Sequence, residues 1–339
     1  MLNIEKLLTT KNRRNFLIFL GISLLEIFVV LMLPKTARSI NFSNSSSPSK
    51  PKPKDRDFEF FVAKLDRGGT LIAERGKGKY FTLDLGNNIG LDMVNIKGGK
   101  FKMGSPGNED GRASDETQID YPVQTFYMSR YLITQVQWEK VAKLPKVDLD
   151  LSDKPSTFDE KELNKRKLPV ETISWEEAQE FCKRLSQKFE GEYKLPTEVQ
   201  WEYACRANTT TPFYCGETIT PKVANYDCHY RYDGKPPDKN EMEQYKGETV
   251  SVEFIQRTNN FGLNGMCGNL WEWCEDIYYP NYKDALNHSD SSVKNTRPDR
   301  VIRGGAWNSF PASCRSAKRN SKPQDIKMNT IGFRVVCTF

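Results

Sequence analysis

Sulfur side chains are the first candidates for chemistry in this chain, which has eight cysteines and only two histidines, His229 and His288. Thiolates are nucleophiles and ligands for soft metals, and in an exported domain thiols also pair as disulfides. Eight cysteines allow about 105 full pairings, so the sequence leaves the pairing open. Two histidines are too few for a histidine-rich metal centre. Cys182 and Cys205 lie on apolar faces of predicted helices, which favours buried core thiols.

Three short helices are predicted around these cysteines. The first covers residues 134–142, and the second begins at Ser174 with a capping box completed by Glu177. The third covers residues 197–206 and begins with a Thr-x-x-Gln capping box at Thr197. After residue 91 most of the sequence is rich in Gly, Asn, Asp and Pro, a composition that predicts loops. Each unpaired buried peptide group costs about 1 to 3 kcal/mol, so such a domain needs bound cations or buried Asn and Asp side chains to satisfy its backbone.

An apolar run near the N-terminus predicts a membrane anchor. Residues 16–33 read FLIFLGISLLEIFVVLML, and a helix of this length covers most of a hydrocarbon core about 30 Å thick. The anchor is assigned to residues 15–34, after a basic cytoplasmic tail at residues 1–14. A cleaved signal peptide is the alternative interpretation. Basic residues are more numerous before the run than after it, which predicts a single-pass membrane protein with its C-terminal domain on the non-cytoplasmic side.

Two further segments precede the main domain. Residues 35–56 are rich in Ser, Pro and Lys and predict a disordered linker. Residues 57–90 form a small strand-rich extension, predicted as three short strands separated by glycine-rich turns at residues 67–69 and 75–78. The formal net charge of +6 comes largely from the tail and the linker, so we expect no nucleic-acid partner.

A series of motifs follows in the body of the chain. They are MVNIKGGKFKMGS at 93–105, FYMSRYLIT at 126–134, LPVE at 168–171 with SWEEA at 174–178, LPTE at 195–198 with WEYA at 201–204, GL at 262–263 with GNLWEW at 268–273, RGGAW at 303–307 and IGFR at 331–334. Together, and in this order, they resemble the formylglycine-generating enzyme (sulfatase-modifying factor) family. The resemblance covers residues 91–339.

The resemblance implies an α+β fold, the formylglycine-generating-enzyme variant of the C-type-lectin fold. This fold is coil-rich, with a small antiparallel sheet and two main helices, and the predicted transmembrane helix would precede it. Another branch of the family holds non-haem iron with three histidines. A chain with two histidines cannot form that triad.

The resemblance also implies bound calcium. The implied ligands are the carbonyls of Gly268 and Leu270 with the carboxylate of Glu272, and a second site near Asn225 and Tyr226. Hard oxygen ligands of this kind suit Ca²⁺. The family usually has Asp or Asn where this chain has Gly265, so one side-chain ligand is missing unless Asn264 replaces it. The alternative interpretation is that Glu272 only caps a turn.

Active members of the family are similar in using two cysteines, separated by four residues, to hold the copper that oxidises a substrate cysteine to formylglycine. At the matching positions this chain has Ser309 instead of the first cysteine and keeps Cys314 as the second. Ala306 stands where active members have a serine. A neutral hydroxyl is a poor ligand for soft Cu(I), so we expect that copper is not a cofactor and that the oxidase activity is lost.

The segment 307–334 implies a different role. On this fold it forms the floor of the substrate groove, and it is similar to the ligand-binding stretch in the variable proteins of diversity-generating retroelements. The predicted contact residues are Trp307, Asn308, Ser309, Phe310, Arg315, Lys318, Arg319 and Asn320. The first hypothesis is a membrane-anchored, non-catalytic module that binds a peptide, protein or glycan.

Two alternatives remain open. The first is a copper-dependent formylglycine-generating oxidase in which Cys314 acts as a catalytic residue together with other sulfur ligands. The second is a spacer or assembly part, in which Trp271, Trp273 and Phe333 are only core residues.

Overall fold

The computed structural model describes residues 52–66, 68–158, 167–282 and 298–339. The predicted cytoplasmic tail, the membrane anchor and most of the linker lie outside these ranges. Within them, no helix combines the length and the apolar character needed to cross a membrane.

A six-stranded antiparallel sheet forms the first layer. Its strands, in spatial order, are β1 (Arg56–Leu65), β2 (Leu71–Asp84), β3 (Gly90–Ile96), β6 (Phe126–Ser129), β12 (Val336–Thr338) and β7 (Glu192–Lys194). The last strand of the chain pairs with β6 on one side and with β7 on the other. The C-terminal segment is therefore fixed between strands from earlier parts of the domain.

The strand-rich extension is one long hairpin, and the prediction of three short strands was wrong. β2 continues through residues 75–78, where the sequence predicts a turn, and its residues 71–80 pair with β1. A Cβ at Gly76 would lie 2.2 Å from the ring of Phe60, and a Cβ at Gly78 would lie 2.8 Å from the ring of Phe58. The glycines therefore leave room for two aromatic rings across the hairpin instead of turning the chain.

The three predicted helices are confirmed. They are α1 (Gln135–Ala142), α2 (Trp175–Lys188) and α3 (Glu198–Arg206), and a single turn, α4 (Lys239–Met242), follows later. The first three begin at Thr134, Ser174 and Thr197, and each of these N-cap residues forms a complete capping box. Because the capping box satisfies two backbone donors locally, it is visible in sequence.

A four-stranded sheet collects the family-like motifs. Its order is β10 (Arg319–Pro323), β9 (Asp299–Arg303), β8 (Trp271–Ile277) and β11 (Ile331–Gly332), and a separate pair is formed by β4 (Gly99–Met103) and β5 (Ile119–Val123). β11 runs parallel to β8, whereas the other pairs are antiparallel. Glu272 on β8 lies opposite Arg303 on one side and Gly332 on the other. The sheet thus gathers the segments 268–273, 303–307 and 331–334.

The core contains the aromatic residues of these motifs. Trp138 stacks on Phe181 with ring centroids 5.5 Å apart, and Phe333 meets Phe181 edge-on at 5.1 Å. Trp273 is fully buried in the same cluster. All eight cysteines are buried and unpaired, which confirms the prediction of core thiols for Cys182 and Cys205.

The hairpin packing yields a first prediction. Gly76→Ala should lower the free energy of unfolding by about 1 to 3 kcal/mol, because Phe60 is buried and cannot move away from the added methyl group. Urea denaturation monitored by circular dichroism measures this effect. Gly107→Ala is the matched control, since a Cβ there meets nothing within 4 Å. Equal stability of the two variants would contradict the packing role.

Candidate functional site

The segment that follows β9 crosses directly over Cys314. Gly304 and Gly305 both have positive φ, +99° and +77°. A Cβ at Gly305 would lie 2.6 Å from the Cys314 sulfur, so only glycine allows this close approach. Cys314 ends a short 3₁₀ helix, Pro311–Cys314, and is fully buried. The thiol therefore faces the interior, behind the glycine turn.

Burial decides the chemistry of the Cys314 thiol. It raises the pKa of Cys314 to about 12, opposed by a backbone hydrogen bond from Gly268. A thiol with this pKa stays protonated at neutral pH, and the thiolate is the form that binds metals and acts as a nucleophile. In this arrangement Cys314 is a core residue.

The polar groups of Ser309 form hydrogen bonds within its own turn. Its hydroxyl accepts a hydrogen bond from the Ala306 N–H at 2.9 Å, and its N–H donates to the Ala306 carbonyl at 2.9 Å. The Ser309 carbonyl also accepts from the N–H of Asp227. The side chain that replaces the family's first cysteine therefore stabilises the loop.

An aromatic surface lies beside this turn. Phe310 is 56 % exposed and Tyr230 is 50 % exposed, and their rings meet edge-on with centroids 4.5 Å apart. Trp307 is half-buried: its ring contacts Phe158, and its indole N–H donates to the Asn329 carbonyl at 3.2 Å. Tyr230 was not among the predicted contact residues, because no motif near it signals a site.

The predicted contact residues separate into two groups. Asn308, Phe310 and Asn320 are exposed, and Trp307, Ser309 and Lys318 are partly exposed. Arg315 and Arg319 are buried, so their assignment as exposed contact residues is corrected. Both guanidinium groups form ion pairs inside the domain.

Arg315 and Arg319 each bind buried carboxylates. Arg315 donates to Glu116 at 2.8 and 2.9 Å and to Glu109 at 2.6 Å. Arg319 makes a bidentate pair with Glu198 at 2.7 and 2.8 Å. Paired charges can remain in a dry interior where unpaired ones cannot, so these arginines hold the C-terminal segment in place.

Arg303 connects these pairs to helix α3. Its guanidinium donates to Glu202 and lies 3.3 Å from Glu198, and Glu202 also accepts from Arg206 at 2.8 Å. Glu198 and Glu202 are in the LPTE and WEYA motifs, but nothing in the local pattern showed that they face arginines about one hundred residues later.

The predicted calcium ligand Glu272 has a different partner. Arg334 Nε lies 3.0 Å from both of its carboxylate oxygens, and the Trp201 indole N–H donates to one of them at 2.7 Å. Burial raises the pKa of Glu272, and the Arg334 charge opposes that rise. The other Arg334 nitrogens donate to carbonyls, at 3.0 Å to Arg130 and at 2.5 Å to Asn264.

The donor set at Glu272 does not fit Ca²⁺ in this conformation. A carboxylate and a group of carbonyls, the ligands that Ca²⁺ prefers, already surround one guanidinium. A Cβ at Gly265 would lie 3.9 Å from the nearest Arg334 nitrogen, so the position that lacks the family's side-chain ligand is close to the same group. Among the described residues, no cluster of three or more His, Cys, Asp or Glu side chains could hold a metal.

The side chains of the second predicted calcium site also form hydrogen bonds within the protein. The Asn225 amide donates to the Glu248 carbonyl at 3.0 Å and to the Asn269 side chain at 3.1 Å. Asn269 in turn binds both the N–H and the carbonyl of Val250, at 2.9 and 3.0 Å. Tyr226, the other residue predicted for this site, follows Asn225, and Gly268 and Leu270, predicted for the first site, flank Asn269. Gly268 is required there, because a Cβ would lie 2.3 Å from the Asn225 carbonyl.

Comparisons with known proteins match this fold and these motifs. A model of the sulfatase-modifying factor enzyme 1-like domain matches residues 86–339. The formylglycine-generating enzyme of Streptomyces coelicolor is 32% identical over 170 residues, 49% of this chain and 51% of that protein. The inactive C-alpha-formylglycine-generating enzyme 2 of Bos taurus is 23% identical over 296 residues, 74% of this chain and 90% of that protein.

A solved structure agrees at the level of the fold. PvdO from Pseudomonas aeruginosa superposes with a TM-score of 0.61 at 25% identity, covering 76% of this chain and 98% of that one. The described domain thus has the α+β, C-type-lectin-like fold of formylglycine-generating enzymes. The chain belongs to the sulfatase-modifying factor enzyme 1-like domain family. It spans about half the length of the first curated formylglycine-generating enzymes that it matches.

The pair of Arg334 and Glu272 yields a second prediction. Arg334→Met should lower the free energy of unfolding by about 3 to 5 kcal/mol, because it leaves the buried Glu272 charge uncompensated. Adding Glu272→Met should recover part of this loss, since both charges are then removed, whereas the carbonyls that Arg334 bonded stay unpaired. Guanidinium denaturation measures both variants. Lys64→Met, which breaks the exposed pair with Glu74, is the control and should change stability little. A double variant as unstable as Arg334→Met would contradict the charge explanation.

Proposed function

We propose that this domain is a non-catalytic binding module of the formylglycine-generating enzyme family. The observation that carries the proposal is the state of the two positions where active relatives have copper-binding cysteines. Ser309 has a hydroxyl that closes its own turn, and Cys314 has a buried thiol with a pKa of about 12. Ser309 has no sulfur, and a single buried, protonated thiol is a weak site for a soft metal.

The comparisons support a non-catalytic domain. The relative from Bos taurus that this chain matches over 74% of its length is named an inactive enzyme of the family. Its inactivity is a property of that protein, but it shows that the family fold persists without the named activity. The copper-dependent oxidase remains the competing function that the test must exclude.

The aromatic surface is the proposed binding site. Exposed aromatic rings at a rigid position are the side chains that most often anchor a protein or glycan ligand. Phe310 and Tyr230 provide such a pair, next to Trp307, Asn308 and Ser309. We propose that this surface recognises a peptide, protein or glycan, with Lys318 and Asn320 as further polar contacts.

Membrane attachment is part of the proposal and is supported by the sequence alone. The apolar run at residues 16–33 and the basic residues before it predict an anchor with the domain on the non-cytoplasmic side. The full chain should therefore remain in the membrane fraction after alkaline carbonate extraction, and external protease should digest residues 57–339 in intact cells. Release of the full chain by carbonate would contradict the anchor.

A Cu(I) titration combined with a peptide assay tests the non-catalytic function. The wild-type protein should bind no stoichiometric Cu(I) and should convert no cysteine peptide to an aldehyde. Ser309→Cys should raise Cu(I) affinity at least tenfold over Ser309→Ala, because it adds the second sulfur that the family resemblance assigns to the copper pair. Stoichiometric copper binding by the wild type together with aldehyde formation would establish the oxidase instead.

A further inference from the structure

A large polar cleft has a lining that includes neither Tyr230 nor Phe310 of the aromatic surface. Its volume is about 920 Å³, and residues 307–310 do not line it. Four segments form its walls: residues 68–70, 106–110, 210–222 and 231–244. A cleft of this size is within the range of about 300 to 1,000 Å³ that is usual for ligand sites.

The N-terminal hairpin supplies one wall of this cleft. Residues 68–70 connect β1 to β2, and a Cβ at Gly69 would lie 3.4 Å from the Thr220 methyl group, so the hairpin turn closely approaches the opposite wall. The family match begins only at residue 86. The cleft is therefore completed by a part of this chain that lies outside the matched domain.

Acidic residues dominate the lining that the structure describes. The acidic residues are Glu109, Asp110, Glu217, Asp233, Asp238 and Glu241. The basic ones are Lys222 and Arg231, and Arg231 is already paired with Asp233 at 3.1 Å and with Glu241 at 3.2 Å. The cleft therefore favours positive charge.

Two lining residues also have polar atoms without partners. The Glu109 side chain is only 2 % exposed, and Arg315 binds just one of its two carboxylate oxygens, at 2.6 Å. The other oxygen, Oε2, has no hydrogen-bond partner among the described residues, and neither has the hydroxyl of Thr220. Burial raises the pKa of Glu109 in spite of Arg315. A buried carboxylate with an unused acceptor is costly unless a donor approaches it.

We propose that this cleft binds the cationic side chains of a basic peptide segment, with Glu109, Asp110 and Glu217 as the recognising carboxylates. Three observations favour this ligand: the excess of carboxylates in the lining, the unused acceptor of Glu109 and a volume that accommodates several residues. The Tyr232 hydroxyl donates to the Asp110 carbonyl at 2.7 Å and so connects two of the lining segments, 231–244 and 106–110. The proposal does not depend on the aromatic surface, so either site can fail without the other.

Isothermal titration of the full chain in detergent with trilysine tests this site. Saturable binding is expected, and Glu217→Lys or Asp110→Lys should weaken it at least tenfold. Glu192→Lys makes the same charge change at an exposed position that does not line the cleft, and it should bind trilysine like the wild type.

Other probes separate the possible ligands. Trialanine should not bind, and spermidine should bind at least tenfold more weakly than trilysine, because it has cationic nitrogens but no peptide groups. Absence of saturable trilysine binding at millimolar concentration would overturn the proposal. An equal loss of affinity in Glu192→Lys would also overturn it, since binding would then follow total charge. Spermidine binding as tight as trilysine would exclude a peptide-specific site.

Discussion

Buried ion pairs hold the C-terminal third of this domain. Arg303, Arg315, Arg319 and Arg334 are almost completely inaccessible to solvent, and each binds a carboxylate from an earlier segment of the chain. Charges buried in this way must be paired, because an uncompensated ion in a dry interior costs several kcal/mol. The pairs therefore restrict the loops between β9 and β12 to one position relative to helix α3 and strand β8. Buried asparagines do the same for residues 248–269, where Asn225, Asn264 and Asn269 satisfy backbone groups in loops.

The structural consequence is an ordered loop surface around the turn at Ser309. The glycine turn before Ser309 packs its backbone directly against the buried Cys314 thiol. Because burial raises the pKa of this thiol, the sulfur stays protonated at neutral pH. The side chains that remain at the surface are Phe310, Tyr230 and small polar groups. The proposed binding role relies on this combination, because a rigid scaffold lowers the entropy that a ligand must overcome on binding.

Local signals in the sequence predicted the helices and the family, whereas partners distant in sequence could not be predicted. The capping boxes at Ser174 and Thr197 act within four residues, and the structure contains both helices where these signals placed them. Arg315 and Arg319 looked like surface contacts because basic residues in a loop are usually exposed, and their glutamate partners lie more than one hundred positions away. The glycines of β2 looked like a turn, since the rings that require them are on the facing strand.

Inside the fold Arg334 pairs with Glu272, the carboxylate that the family resemblance assigns to calcium. The most direct test is the unfolding midpoint of the protein in millimolar calcium and in excess chelator. If Arg334 alone neutralises Glu272, the midpoint should be the same in both conditions, because calcium then has no free carboxylate at Glu272 through which to stabilise the folded state. A midpoint several degrees lower in chelator, restored by added calcium, would contradict it.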